Sequence, residues 1–258
     1  MNQKIFCTLF LGLLLSNLSF AQSSSVEVFL DHVTLAVSNL ESAEERFSTL
    51  GFTIKEGRLH DNGLLNKHIK FKDGSAIELM TVQGEAKDDI AKTYKKFLSK
   101  QEGGIFIAFN APFDHVMQKA EELSLSYQVS TGNPFSYITF KNIGLENVFF
   151  INNEMETTDT DSILTHEDKV SGIKRVWIQS SPLFTELLIL LGASFKGILK
   201  TPDQKENPVY RLNDYDFIVD ESFQNNPRIL GIQFETEEIS TLEWIPPNEN
   251  HGVWITFR

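Results

Sequence analysis

From Val26 onward the apolar positions change period in a fixed order, alternating by two, then by three to four, then by two again. In VEVFLDHVTLAV, His32, Thr34 and Ala36 face one way and Val33, Leu35 and Val37 the other, the pattern of a strand with one buried face. The next stretch places Leu40, Ala43, Phe47 and Leu50 on one side of a helix. Ser38 and Glu41 have capping-box spacing and Gly51 supplies the stop. FTIKEGRLH, NKHIKF and SAIELMTV then read as three strands, the last two joined through a KDG turn into a hairpin. The unit is βαβββ.

The same order recurs. GIFIAFN, the helix APFDHVMQKAEELSL, SYQVSTG and FSYITFKN running into ENVFFINN form a second copy. GIKRVWIQS, the helix PLFTELLILLG, ASFKGIL, VYRLN and YDFIVD form a third. A fourth opens with RILGIQFET and closes with HGVWITFR in too few residues for a full unit, so it reads as a shortened repeat. KDDIAKTYKKFLSK, between the first two copies, has the spacing of an exposed helix. EMETTDTDSILTHEDK, between the second and third, reads as an acidic surface linker. These boundaries predict an α+β protein with one two-unit domain over 26–154, a linker over 155–170 and a second, truncated pair over 171–258.

The first residues change the picture of where the protein works. Lys4, an apolar run from Ile5 to Leu15 and the small residues Ser19 and Ala21 predict a signal peptide, 1–21, and so an exported protein, periplasmic or secreted, with no membrane association after cleavage. The single cysteine, Cys7, falls within that segment, so the mature chain is expected to have no disulfide, thiol nucleophile or thiolate ligand. A formal net charge of −12 with no basic run is poorly suited to nucleic acid or anionic membranes and points to small molecules, cations or other proteins as partners, a small-molecule ligand or substrate first. Gly-rich phosphate loops, nucleophile elbows and paired helical histidines are absent from the sequence.

LDHVTLAVSNLESAEERFSTLGF and GRLHDNGLLNKHIKFKDGSAIELM, with the later YKKFLSKQEGGIFIAF and FFIN, resemble the glyoxalase-like domain branch of the vicinal oxygen chelate superfamily. That resemblance implies paired βαβββ units whose curved, mostly antiparallel sheets form cups. It also implies a divalent metal at the base of a cup, held by a histidine on a first strand and a glutamate or histidine on a last one. His32 and Glu78 occupy those positions as metal ligands, and strand alternation independently sets Glu78 and Met80 opposite Ile77 and Leu79. Imidazole with carboxylate suits Zn, Fe, Mn or Ni alike.

The match is incomplete. The second copy carries Ile105 and Phe106, then Val148, Phe149 and Phe150, where partner ligands are expected. The third carries Arg175 near the position of His32 and Asp216 near that of Glu78. Arginine does not ligate metal, so Arg175 is a ligand-binding candidate that pairs with Asp216 or holds an anion. His60 and Asn66 are candidates for the first pocket: His60 as third ligand or catalytic base, Asn66 as a hydrogen-bonding group. His68 reads as pointing outward from its strand. The expected function is an exported protein binding a small polar organic molecule in a sheet cup, either as a metal-dependent lyase or isomerase or as a non-catalytic small-molecule-binding or interaction protein that has lost the metal site.

Overall fold

The computed structural model describes residues 27–131, 136–152, 159–222, 227–236 and 244–258. The expected leader and part of the linker lie outside them. The first unit comprises β1 (Phe29–Ala36), α1 (Leu40–Thr49), β2 (Lys55–Leu59), β3 (Leu64–Lys70) and β4 (Ala76–Val82). After α2 (Asp89–Leu98), the second comprises β5 (Gly103–Asn110), α3 (Phe113–Glu122), β6 (Tyr127–Ser130), β7 (Tyr137–Phe140) and β8 (Val148–Ile151). A single turn of helix, α4 (Asp161–Leu164), leads to β9 (Val170–Gln179), α5 (Pro182–Leu190), β10 (Ser194–Lys200), β11 (Glu206–Leu212) and β12 (Tyr215–Asp220). The fourth unit keeps β13 (Arg228–Thr236) and β14 (Trp254–Phe257), the latter preceded by a 3-10 turn at Pro247–Glu249.

One rule generates the sheet. In every unit the first and last strands are parallel neighbours: β1 with β4, β5 with β8, β9 with β12 and β13 with β14. The intervening strands join antiparallel, and the units pair through antiparallel first strands, β1 with β5 and β9 with β13. Unit one therefore shares a sheet with unit two, and unit three with the shortened fourth. Ile229 opposite Gly104 links the two halves, where a Cβ on Gly104 would stand 2.3 Å from that of Ile229.

The buried face of each half belongs to one continuous core. Val33, Leu35, Ile77, Leu79 and Phe109 pack in the same cluster as Val176, Ile178, Phe217 and Phe234, with Phe47 of α1, Val116 of α3 and Phe184 of α5 on its outer side. At this seam His166 is buried, accepting at Nδ1 from the Thr53 N–H (3.0 Å) and donating from Nε2 to the Lys70 carbonyl (3.0 Å). The opposite face of each half-sheet, here called its cup face, carries the polar candidates.

Two expectations need correction. The residue capping α1 is Asn39, whose side chain accepts from the Ser42 N–H at 2.8 Å. Ser38 instead donates its N–H to Glu102. The helix between the first two units is exposed on one side only: Ala91 and Tyr94 are buried against Ala36, Leu64, Met80 and Ile105. α2 thus covers one end of the first cup, because Ala91, Tyr94 and Leu98 form a helical stripe that needs an apolar surface.

Candidate functional site

Strand alternation and register assemble the first cup. Across β3, β4, β1 and β5 stand His68, Glu78, Thr34 and Phe106 in one row, each opposite the next. The adjacent row holds His32 opposite Ala76 and Ala108, and Ala108 lies opposite Phe149 of β8. Glu78 is the hub. Asn66 Nδ2 donates to its Oε1 at 2.8 Å, and Thr34 Oγ1 donates to its Oε2 at 3.3 Å. His32 Nε2 and His68 Nε2 approach its two oxygens at 3.7 and 3.5 Å.

Asp31 accepts from His32 Nδ1 at 2.6 Å and so turns Nε2 toward the hub. Phe149 meets the His32 ring edge-on at 5.5 Å between centroids, and Tyr94 of α2 packs on Phe106 at 5.4 Å.

These contacts decide the charges. Burial pushes the Glu78 carboxyl up, but the hydrogen bond from His68, the charges of His32 and His68 and the Asn66 amide outweigh it and bring it down to about 2. Burial pulls His32 down, yet the hydrogen bond and charge of Asp31, with the charge of Glu78, leave it above its ordinary value. Burial and the neighbouring Glu78 charge hold the Tyr94 phenol well above its usual range, against a hydrogen bond to Thr34, so its hydroxyl keeps its proton. The site is an ionised carboxylate between imidazoles, with only 16% of the Glu78 side chain exposed.

Of the sequence candidates, the fold brings together His32, Asn66 and Glu78. His60 makes none of these contacts. It lies in the β2–β3 turn, bonded through its backbone to Leu64 and Gly63, with Nε2 buried and without a hydrogen-bond partner among the described residues. Arg175 lies in the other half.

His68, expected to point outward, faces Glu78; its two-residue spacing from Asn66 is the signal that both share a face. Tyr94 is a site residue that strand patterning does not reach, although the Ala91–Tyr94 spacing marks a buried stripe.

The second cup repeats the row with different donors. Arg211, Asp216, Arg175, Gln233 and Thr256 lie opposite one another across β11, β12, β9, β13 and β14. By register Arg175 fills the slot of Thr34, rather than that of His32, and Arg211 fills that of His68.

Asp216, 1% exposed, receives Arg175 Nε at 3.0 Å and Arg211 Nε and Nη2 at 2.7 and 3.0 Å. Arg175 Nη1 donates to Gln233 at 2.8 Å. Nothing local in the sequence marks Arg211, since its role depends on sheet pairing. Trp177 and Trp254 belong to the apolar cluster on this face, with Val209 and Ile218.

The residues present fit the implied metal only in part. His32, oriented by Asp31, and Glu78 supply two donors, but Phe106, Ala108 and Phe149 occupy the facing positions of the second unit. No group of three or more His, Cys, Asp or Glu among the described residues is placed to hold an ion. The donors cover half of such a shell.

Paired βαβββ units with cup faces define the class: this is the vicinal oxygen chelate fold. The model of the glyoxalase-like domain family matches residues 30–185, more than half of the chain, and the chain belongs to that family. No curated protein matches it.

Among solved structures it is similar to a hypothetical protein from Staphylococcus aureus, at 15% identity and a TM-score of 0.63, covering 90% of this chain and 98% of that one. It is also similar to a mutant 4-hydroxymandelate synthase from Streptomyces coelicolor, at 8% identity and a TM-score of 0.59, covering 83% and 72%. A variant of homoprotocatechuate 2,3-dioxygenase from B. fuscum matches at 12% identity and a TM-score of 0.54, covering 83% and 58%. At these identities the likeness shows the fold. A glyoxalase-like fold of this kind supports a small-molecule-binding domain.

Proposed function

We propose that this is an exported protein whose N-terminal cup binds a small polar organic molecule through the Glu78 network without needing a metal. The observation behind the reading is the convergence of His32, His68, Thr34 and Asn66 on one carboxylate, beside Phe106 and Phe149 and beneath Tyr94. A ligand donor group bonds to Glu78, an acceptor group bonds to His32 or the Tyr94 hydroxyl, and the phenyl rings contact its apolar part.

At about 2, Glu78 is a poor proton acceptor at neutral pH and serves as an electrostatic anchor. Any proton given to a ligand comes from His32, whose Nε2 faces Glu78, rather than from His60, which makes none of the cup contacts.

A second reading is favoured by one contact. Asp31 on His32 Nδ1 is the arrangement that orients a metal-bound imidazole, so His32 and Glu78 could together take up Zn, Fe, Mn or Ni and support lyase or isomerase chemistry. Metal analysis of residues 22–258, purified without a histidine tag and compared with His32→Ala and Glu78→Ala, separates the readings. Absence of metal after incubation with each ion supports the first. Near-stoichiometric metal lost in both variants replaces it with the second.

A thermal-shift screen of small oxo and hydroxy acids tests binding itself, because a ligand that binds only the folded state raises the melting temperature. The cup reading fails if no compound stabilises the wild type more than Glu78→Gln. Amino-terminal sequencing of the exported protein tests cleavage after Ala21.

A further inference from the structure

A cleft of about 670 Å³, whose lining includes none of the cup residues, lies where α1, the residues leading into β5, the start of β13 and the C-terminal turn meet. Two glycines make it. Gly252 (φ +83°) and Gly103 (φ +139°) lie back to back, and a Cβ on Gly252 would stand 2.2 Å from the Glu102 carbonyl oxygen. Only glycine lets the C-terminal turn close so tightly on the entry to β5.

The approach carries His251 onto Glu102, with its own backbone at φ +48°, a conformation uncommon outside glycine. His251 Nδ1 donates to Glu102 Oε2 at 2.7 Å, while the Ser38 N–H donates to Oε1 at 2.6 Å. Burial pushes the Glu102 carboxyl up, but these bonds bring it below its usual range. An ionised carboxylate only accepts, so the proton of neutral His251 sits on Nδ1. Nε2 is left as an acceptor with no protein partner among the described residues.

Two guanidiniums line the same cleft. Arg46 uses Nε on Asn250 Oδ1 at 3.1 Å and comes within 3.9 Å of Glu249. Among the described residues the Arg228 guanidinium makes one hydrogen bond, Nη1 to Gln101 Oε1 at 3.4 Å, and has no carboxylate within 4.0 Å. In a chain of net charge −12, a guanidinium without an acid partner on the wall of a cleft is a place for an external anion. Glu102 and Glu249 in the same walls disfavour a doubly charged phosphate and favour a single carboxylate.

We propose that this cleft is a second ligand site, separate from the cup, that takes a small hydroxycarboxylate. Arg228 and Arg46 hold the carboxylate, and His251 Nε2 accepts a hydrogen bond from the neighbouring hydroxyl. The volume suits a small molecule, since such sites run from about 300 to 1,000 Å³.

The test is an NMR titration of the purified protein with acetate, glycolate and inorganic phosphate, following the arginine Nε–H and histidine ring signals. Glycolate is acetate with one added hydroxyl. Glycolate is expected to shift Arg46, Arg228 and His251 and to bind about fivefold more tightly than acetate, the contribution of one neutral hydrogen bond.

Arg228→Gln is expected to weaken both carboxylates about tenfold, as loss of a charged hydrogen bond does. His251→Asn, which tolerates the left-handed backbone, is expected to abolish the preference for glycolate. The readout is residue by residue: shifts of Arg46, Arg228 and His251 report on this cleft, whose lining shares no residue with the cup, and shifts of His32 and His68 report on the cup, so the two sites stand or fall independently.

Equal binding of acetate and glycolate, tighter binding of phosphate, shifts confined to other residues, or no saturation by about 50 mM would each overturn the proposal. The wild-type titration decides even if a variant fails to fold.

Discussion

The two cups are built on one register and hold opposite chemistry. Both place a carboxylate on the last strand of a unit, Glu78 on β4 and Asp216 on β12, with one partner on the strand before it and one on the first strand of the unit. In the first cup the neighbours are the His68 imidazole and the Thr34 hydroxyl, with the His32 imidazole close by, and none of them is a permanent charge. In the second they are Arg211 and Arg175, which stay charged at any working pH. A carboxylate fixed between two guanidiniums is a lock, whereas one between imidazoles is a group a ligand or proton can address. The repeated fold supplies position, and the side chains decide whether the position is structural or chemical.

The sharpest way to break the comparison is at the lock. Asp216→Asn leaves two guanidiniums facing each other around a buried site and is expected to cost about 3 kcal/mol in urea unfolding. A loss well under 1 kcal/mol would show that the second cup is not held by this pair.

Glu78→Gln comes next, at up to about 3 kcal/mol near neutral pH, and its signature is in acid. The native carboxyl titrates at about 2 against 4.5 in the unfolded chain, so its stabilisation is present above 4.5 and is lost as pH falls through about 2. The variant should lack that part of the acid limb. An unchanged limb would remove Glu78 from the network.

The histidines sharpen the contrast between cup and seam. His32 is raised above 6.5, so its stabilisation is full below 6.5 and lost as pH rises through its folded value. His166 has the opposite sign. Burial pushes it down, against the hydrogen bond to the Lys70 carbonyl, so its stabilisation is present above 6.5 and lost as pH falls through its lowered folded value. Unfolding curves on either side of 6.5 should show His32→Gln deficient mainly on the acid side and His166→Gln mainly on the alkaline side. The same sign in both variants would contradict the assigned charge states.

The smallest expected effect is Tyr94→Phe, about 1 kcal/mol for one lost hydrogen bond. Its phenol should resist deprotonation well above 10 in a spectrophotometric titration, and ionisation in the ordinary range would mean α2 does not cover the cup.

Much of the scaffold is legible in the order of residues. The change of period from two to three or four and back recurs along the chain, and it marks the units, their helices and the shortened fourth copy. Within β1 and β4 the same alternation sets His32 and Glu78 on faces able to meet. His68, Tyr94 and Arg211 are not legible in that way. His68 alternates with Ile69 as an outward residue would, yet it shares a side with Asn66, two residues earlier, and that side is the cup. Tyr94 sits on a helix that looks solvated until the cup gives its stripe a surface. Arg211 faces Asp216 only because β11 pairs with β12 in one register.

The sequence by itself determined the order of elements and which residues share a face, because backbone geometry makes side-chain direction a local property of each strand or helix. Tertiary structure alone decided which strands became neighbours, which rows formed across them and what covered each cup. Those choices depend on burying the opposite faces together in one core, where a shift of a single residue would turn every side chain to the wrong side.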